Sequence, residues 1–143
     1  MNSDWKVFSA EEAEYPAMLA FVQSAAEACG VPQARMLRLE LGFEEAVVNI
    51  IHYAYDKGYM GKLWLYAGRE GKDFILKLAD EGQPFNPLDK PDALHGPQPK
   101  SVEESKVGGL GIAFIRRSFD DVGYCYQSLD GLNKNILTLC LHL

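Results

Sequence analysis

Between Gln33 and Tyr55 apolar side chains return at helical spacing over most of the circumference: Met36, Leu37, Leu39, Leu41, Phe43, Val47, Val48, Ile50, Ile51 and Ala54. The spacing predicts a long helix over 33–55, closed by Asp56-Lys-Gly58. Upstream, the Ala-rich run from Glu11 to Cys29 predicts a helix with acidic residues in its first turn, stopped by Gly30, with Pro32 opening the next. Trp5 to Phe8 predicts a short strand. After the long helix the period falls to two. Lys62 to Gly68 and Lys72 to Asp80 alternate aromatic and aliphatic residues with polar ones around Arg69-Glu-Gly71, as an antiparallel hairpin does. A helix from about Gly109 to Phe119 follows, and then a second hairpin, Val122 to Leu129 and Asn133 to Leu143 around Asp130-Gly-Leu132.

Residues 81–107 break the pattern. They hold five of the seven prolines (Pro84, Pro87, Pro91, Pro97 and Pro99) and little apolar material, which predicts a long loop of a kind uncommon in compact domains unless it is functional. The 143-residue chain as a whole has the size and 48% hydrophobic content of one globular domain, with no repeat or linker. A net charge of -6 disfavours nucleic acid and anionic membrane as partners. No apolar stretch approaches a membrane span, and Met1-Asn-Ser-Asp-Trp-Lys has no signal-peptide core, so a cytoplasmic location is expected. Cys29, Cys125 and Cys140 are odd in number and lack CxxC spacing, which predicts packing thiols rather than a disulfide framework or a zinc site.

Candidate chemistry sits where polar residues interrupt the apolar pattern. On the 33–55 helix Glu45, Asn49 and His52 fall within an arc of about 60°, with Arg38 on the same stripe. So narrow a stripe faces either solvent or a polar cavity. In a cavity, the Asn49 amide oxygen suits Mg²⁺, and Glu45, one turn earlier, is placed to take a proton from an attacking hydroxyl. Glu44 lies about 100° away, on the apolar side, so Glu45 is the expected base. His52 reads more readily as a hydrogen-bonded structural histidine. In the strand ending at Asp80, the two-residue period puts Phe74, Leu76, Leu78 and Asp80 on one face. A carboxylate facing an apolar interior needs donors, and the exocyclic amine of adenine is one. Gly82 would let backbone approach the base and Phe85 could wall the pocket, although D-x-G taken alone reads more readily as a turn-capping Asp. Gly108-Gly-Leu-Gly111 precedes an apolar helical run with Ile112, Phe114 and Ile115. It is a phosphate-binding helix start or a plain glycine-rich connector. It is neither a Walker A loop nor a Rossmann fingerprint.

Taken in order, Glu45-Ala-Val-Val-Asn49, Asp80-Glu-Gly82 and Gly109-Leu-Gly111 resemble the N, G1 and G2 boxes of the GHKL ATPase superfamily. The short chain is similar to the anti-sigma-factor serine/threonine kinase branch of that superfamily. The resemblance covers about residues 5 to 143 and implies an α+β Bergerat fold, a two-layer sandwich with helices on one face of a mixed, mainly antiparallel sheet. It implies one domain over residues 1–143 with an ATP lid at about 86–107. It also implies ATP and Mg²⁺ as ligands, Glu45 as catalytic base and Asn49 as the Mg²⁺ residue. His52, Asp80, Gly82, Phe85, Lys106, Gly108, Gly109, Leu110 and Gly111 would surround the nucleotide. The partner implied is a STAS-domain anti-sigma factor antagonist, with a sigma factor as a second partner and a homodimer as the assembly usual in the branch. One departure bears on activity. Many relatives carry an arginine just before the G2 glycines, where this chain reads Ser105-Lys106-Val107-Gly108. Lysine supplies a point charge rather than a bidentate fork, so the alternative is a non-catalytic, nucleotide-gated protein-binding regulator.

Overall fold

The computed structural model describes residues 4–84, 86, 110–129 and 131–143. The chain runs through β1 (Lys6–Ser9), a 3-10 turn (Glu12–Glu14), α1 (Tyr15–Cys29), α2 (Gln33–Tyr53), β2 (Lys62–Glu70), β3 (Asp73–Asp80), α3 (Leu110–Ser118), β4 (Asp121–Leu129) and β5 (Leu132–His142). The strands form one sheet in the order β1-β2-β3-β5-β4. All four ladders among the described residues are antiparallel, so the expected α+β sandwich is present and its sheet carries no parallel pair there.

Local chemistry explains where the elements start and stop. The first helix begins at Tyr15 rather than Glu11 because Pro16, at its N-terminus, has no N–H for the bond that a longer helix would require. Gly30, in the left-handed region with φ 88°, ends it, and the Val31 N–H caps the Ala26 carbonyl at 2.9 Å. Both turns are two residues long where the sequence suggests three. Pairing continues to Glu70 with Asp73 and to Leu129 with Leu132. Gly71 (φ 64°) and Gly131 (φ 82°) supply the positive φ that these two-residue turns demand.

The core lies between the helices and one face of the sheet. Met18, Val22 and Ala26 of α1, Leu39, Phe43, Ala46 and Val47 of α2, and Ile115 of α3 pack on Leu65, Leu76, Leu78 and Leu139. Inner-face residues pair in rows, Leu65 with Leu78 and Leu78 with Leu137. The row at the sheet's end is polar: Asp80 pairs with Asn135. Gly42 lets α3 cross α2 closely, since a Cβ there would sit 2.6 Å from Ser118 Cβ and 2.8 Å from Phe119 Cε2. The apolar arc of α2 is wider than its partners cover. Leu37 and Leu41 are 66% and 39% exposed, and Glu44, expected on the apolar side, is exposed too. None of the described helices is long and apolar enough to cross a membrane.

Candidate nucleotide site

A cavity of roughly 310 Å³ opens where the C-terminal half of α2 meets the end of β3 and the start of β5, and its walls include Asn49, Tyr53, Asp80, Gln83, Tyr124 and Asn135. Asp80 is at its floor, 6% exposed. Its Oδ1 accepts the Gly82 N–H at 2.9 Å and the Asn135 Nδ2–H at 2.9 Å. Both bonds converge on one oxygen, which leaves Oδ2 for a donor in the cavity. Burial pushes the Asp80 carboxyl above its ordinary range, against the pull of the Asn135 and Gly82 bonds. An acid so placed favours a ligand that brings an N–H.

Asn135 organises this end of the site. Its Nδ2 also reaches the carbonyl oxygens of Gly82 at 3.1 Å and Gln83 at 3.0 Å, so two N–H bonds serve three acceptors, while the Tyr124 hydroxyl donates to its Oδ1. Sequence reasoning missed Asn135. The signal was two asparagines, Asn133 and Asn135, opening the face that Leu137, Leu139 and Leu141 continue, but only the β3–β5 register puts Asn135 beside Asp80. Tyr55 was missed as well. Its hydroxyl accepts the Glu81 N–H at 2.8 Å and donates to the Lys62 carbonyl, tying the loop after α2 to the segment between Asp80 and Gly82. Burial raises that phenol to about 12.

The predicted site residues separate on this frame. Asn49 and Asp80 share the cavity. Glu45 lies one turn earlier on α2, half-buried, outside the lining, with its carboxyl raised first by burial and then by Glu44's charge. Gly82 is required by the packing of its own backbone. A Cβ there would meet the Ala54 carbonyl oxygen at 2.2 Å, so the missing side chain admits the end of α2. His52 does not line this cavity. On the helical wheel it and Asn49 occupy opposite edges of the polar arc, and in the structure His52 turns away, its Nε2 3.2 Å from Glu12 Oε1, into a separate cleft with Ala10 and Lys57. Leu110 and Gly111 are the first two residues of α3, so a helix does begin at the end of the glycine run. Phe85, Lys106, Gly108, Gly109 and the rest of the expected lid, Asn86 aside, lie outside the described residues.

The sequence model of the histidine kinase-like ATPase domain matches residues 8–141. The chain belongs to this family. Among its relatives is the serine/threonine-protein kinase BtrW of Bordetella bronchiseptica, 29% identical over 100 residues that cover 70% of this chain and 67% of that protein. Among solved structures, the histidine kinase AdeS of Acinetobacter baumannii superposes with a TM-score of 0.48 at 18% identity, over 99% of this chain and 68% of that one. Membership of a histidine kinase-like ATPase family implies an ATP site, and the donor set here fits one: a buried carboxylate with an open oxygen for an amine, and an amide suited to a hard cation.

Proposed function

We propose that the chain binds ATP with Mg²⁺ and acts as a serine/threonine protein kinase of a partner-switching system, phosphorylating a STAS-domain anti-sigma factor antagonist. The observation that carries this reading is that Asn49 and Asp80 line one cavity, with Glu45 a turn away on the same helix. The relative named as a serine/threonine-protein kinase supports the phosphotransfer. Asp80 Oδ2 would accept the adenine amine, held in place by Asn135 and by the Tyr55 bond to Glu81. Asn49 would hold Mg²⁺, which neutralises phosphate charge when bound. The N–H groups where the glycine run enters α3 would face phosphate oxygens.

In transfer, the antagonist's hydroxyl oxygen forms a bond to the terminal phosphorus, the bond from that phosphorus to the ADP oxygen breaks, and the hydroxyl proton passes to Glu45. A carboxyl raised by burial and by Glu44 is a better base near neutral pH than an ordinary one. Lys106 would bring a point charge to the terminal phosphate. A cytoplasmic protein, working as a homodimer that also sequesters a sigma factor, fits this role.

A second reading, a regulator gated by nucleotide but without transfer, is favoured by Lys106-Val107 standing where an arginine fork is usual in the kinases this chain resembles. Calorimetric titration with Mg·ATP, followed by radiolabel transfer to a STAS-domain protein encoded beside this chain, separates the two. Binding with transfer supports the kinase, and binding without transfer to any antagonist supports the regulator. Absence of adenine nucleotide binding at millimolar concentration would sink both.

A further inference from the structure

At the end of β3 away from the nucleotide cavity, the sheet register assembles a second polar cluster. Cys140 and His142 are two residues apart on β5 and so share the outer face of the sheet. Asp73 is paired with His142 from β3, and Asp121 is paired with Cys140 from β4. His142 Nδ1 lies 2.8 Å from Asp73 Oδ1 and 4.0 Å from Cys140 Sγ. The ligand atoms of Asp73, Cys140 and His142 all fall within 4.8 Å of one another. The other ring nitrogen of His142 is 3.3 Å from Asp121 Oδ2. The backbone of His142 is itself pinned, its N–H donating to Asp120 Oδ2 at 2.7 Å and its carbonyl accepting from Arg35 at 2.7 Å.

We propose that Asp73, Cys140 and His142 bind one Zn²⁺ ion, with Asp121 as the carboxylate that orients His142. One sulfur, one imidazole nitrogen and one carboxylate oxygen form a mixed set that suits a borderline-soft cation. Mg²⁺ and Ca²⁺ take oxygen ligands, and Cu(I) favours sulfur. Bond lengths of about 2.3 Å to sulfur and about 2.0 Å to nitrogen and oxygen put tetrahedral ligand atoms roughly 3.3–3.6 Å apart. The observed 2.8 and 4.0 Å straddle that range and the third pair, Asp73 with Cys140, lies within 4.8 Å, so side-chain movement of up to about an ångström brings the three to the distances of a tetrahedral site. The Asp121 carboxylate, 3.3 Å from Nε2 as an ion-pair partner, stands where metal-bound histidines place the acceptor of their second nitrogen, which would direct Nδ1 toward the metal. A thiolate and one carboxylate balance the +2 charge, the Cys140 thiol proton leaves to solvent, and water takes the fourth position. The ion clips the start of β3 to the end of β5, about 24 Å along β3 from Asp80 at roughly 3.4 Å per residue. It therefore stands independently of the nucleotide reading.

The test uses the full chain, stripped with chelator and free of nucleotide, titrated with Zn²⁺ by calorimetry and with Co²⁺ by absorption. Expected are one ion per chain, a rise in melting temperature with Zn²⁺, and a thiolate-to-cobalt charge-transfer band. Cys140→Ser should abolish that band, and both Cys140→Ser and His142→Gln should weaken Zn²⁺ binding at least tenfold, with a smaller loss for Asp121→Asn. Cys125→Ser, at an exposed cysteine outside the cluster, should bind as the wild type does. His142→Gln alters an exposed side chain and keeps the test decisive if Cys140→Ser does not fold. Absence of saturable binding, a cobalt complex without the thiolate band, or undiminished affinity in His142→Gln overturns the proposal.

Discussion

Replacing Asn135 with alanine should damage both the fold and the site, by amounts that can be worked from its bonds. The side chain is 6% exposed, and its Nδ2 holds the Asp80 carboxylate at 2.9 Å and the carbonyls of Gly82 and Gln83 at 3.1 and 3.0 Å. A bond to a charged group contributes roughly 1.5–3 kcal/mol and a neutral one roughly 0.5–1.5 kcal/mol. Two N–H groups shared by three acceptors, together with the Tyr124 hydroxyl that loses its acceptor, come to about 3 kcal/mol. Urea denaturation would show this as a lower midpoint at unchanged slope. With Asp80 no longer held and the Gly82-Gln83 backbone released, adenine nucleotide affinity should fall at least tenfold, about 1.4 kcal/mol. Asn135→Asp preserves the shape, removes both donors and sets a second carboxyl against Asp80. Like charges at that separation oppose ionisation, so this variant should be more destabilised at neutral than at mildly acidic pH. A loss under about 1 kcal/mol for Asn135→Ala, with nucleotide affinity intact, would refute the claim that this residue organises the site.

Gly82→Ala should destabilise by about 1–3 kcal/mol or more, because its Cβ would meet the backbone carbonyl of Ala54 at 2.2 Å and backbone cannot yield cheaply; thermal melting without nucleotide measures it. Asp80→Asn should abolish stabilisation by ATP yet leave the nucleotide-free protein at least as stable as wild type at neutral pH. The sign follows from burial holding the native carboxyl above 3.8: the native state then binds more protons than the unfolded chain just above that value, so wild-type stability falls as pH rises through the window, and the variant's advantage should shrink as pH drops back toward it. Glu45→Ala should bind Mg·ATP within a few-fold of wild type while transfer falls by something like 10²–10⁴, whereas Asn49→Ala should lose the Mg²⁺ dependence of affinity as well. Wild-type phosphorylation rates in Glu45→Ala would remove it as the base.

Much of this protein is written in local sequence. The 3.6 and 2.0 periods placed both helices of the first half and all five strands, because those signals depend only on neighbours along one element, while the Bergerat sandwich was implied by the resemblance of three separated motifs to a known superfamily. The same periods put Asp80 on the inner face and Glu45 and Asn49 on one stripe. What faces that stripe is a different matter. A helical wheel cannot show that α2 covers only part of its apolar arc, leaving Leu37 exposed, or that His52 meets Glu12 instead of the cavity. Spacing along the chain gives no hint that Asn135 lies beside Asp80, 55 residues earlier, or that Cys140 and His142 meet Asp73. Those contacts are set by strand register and by which backbone packs against Gly82. Both are properties of elements distant in sequence, so they come into being only when the sheet closes and the helices settle on it.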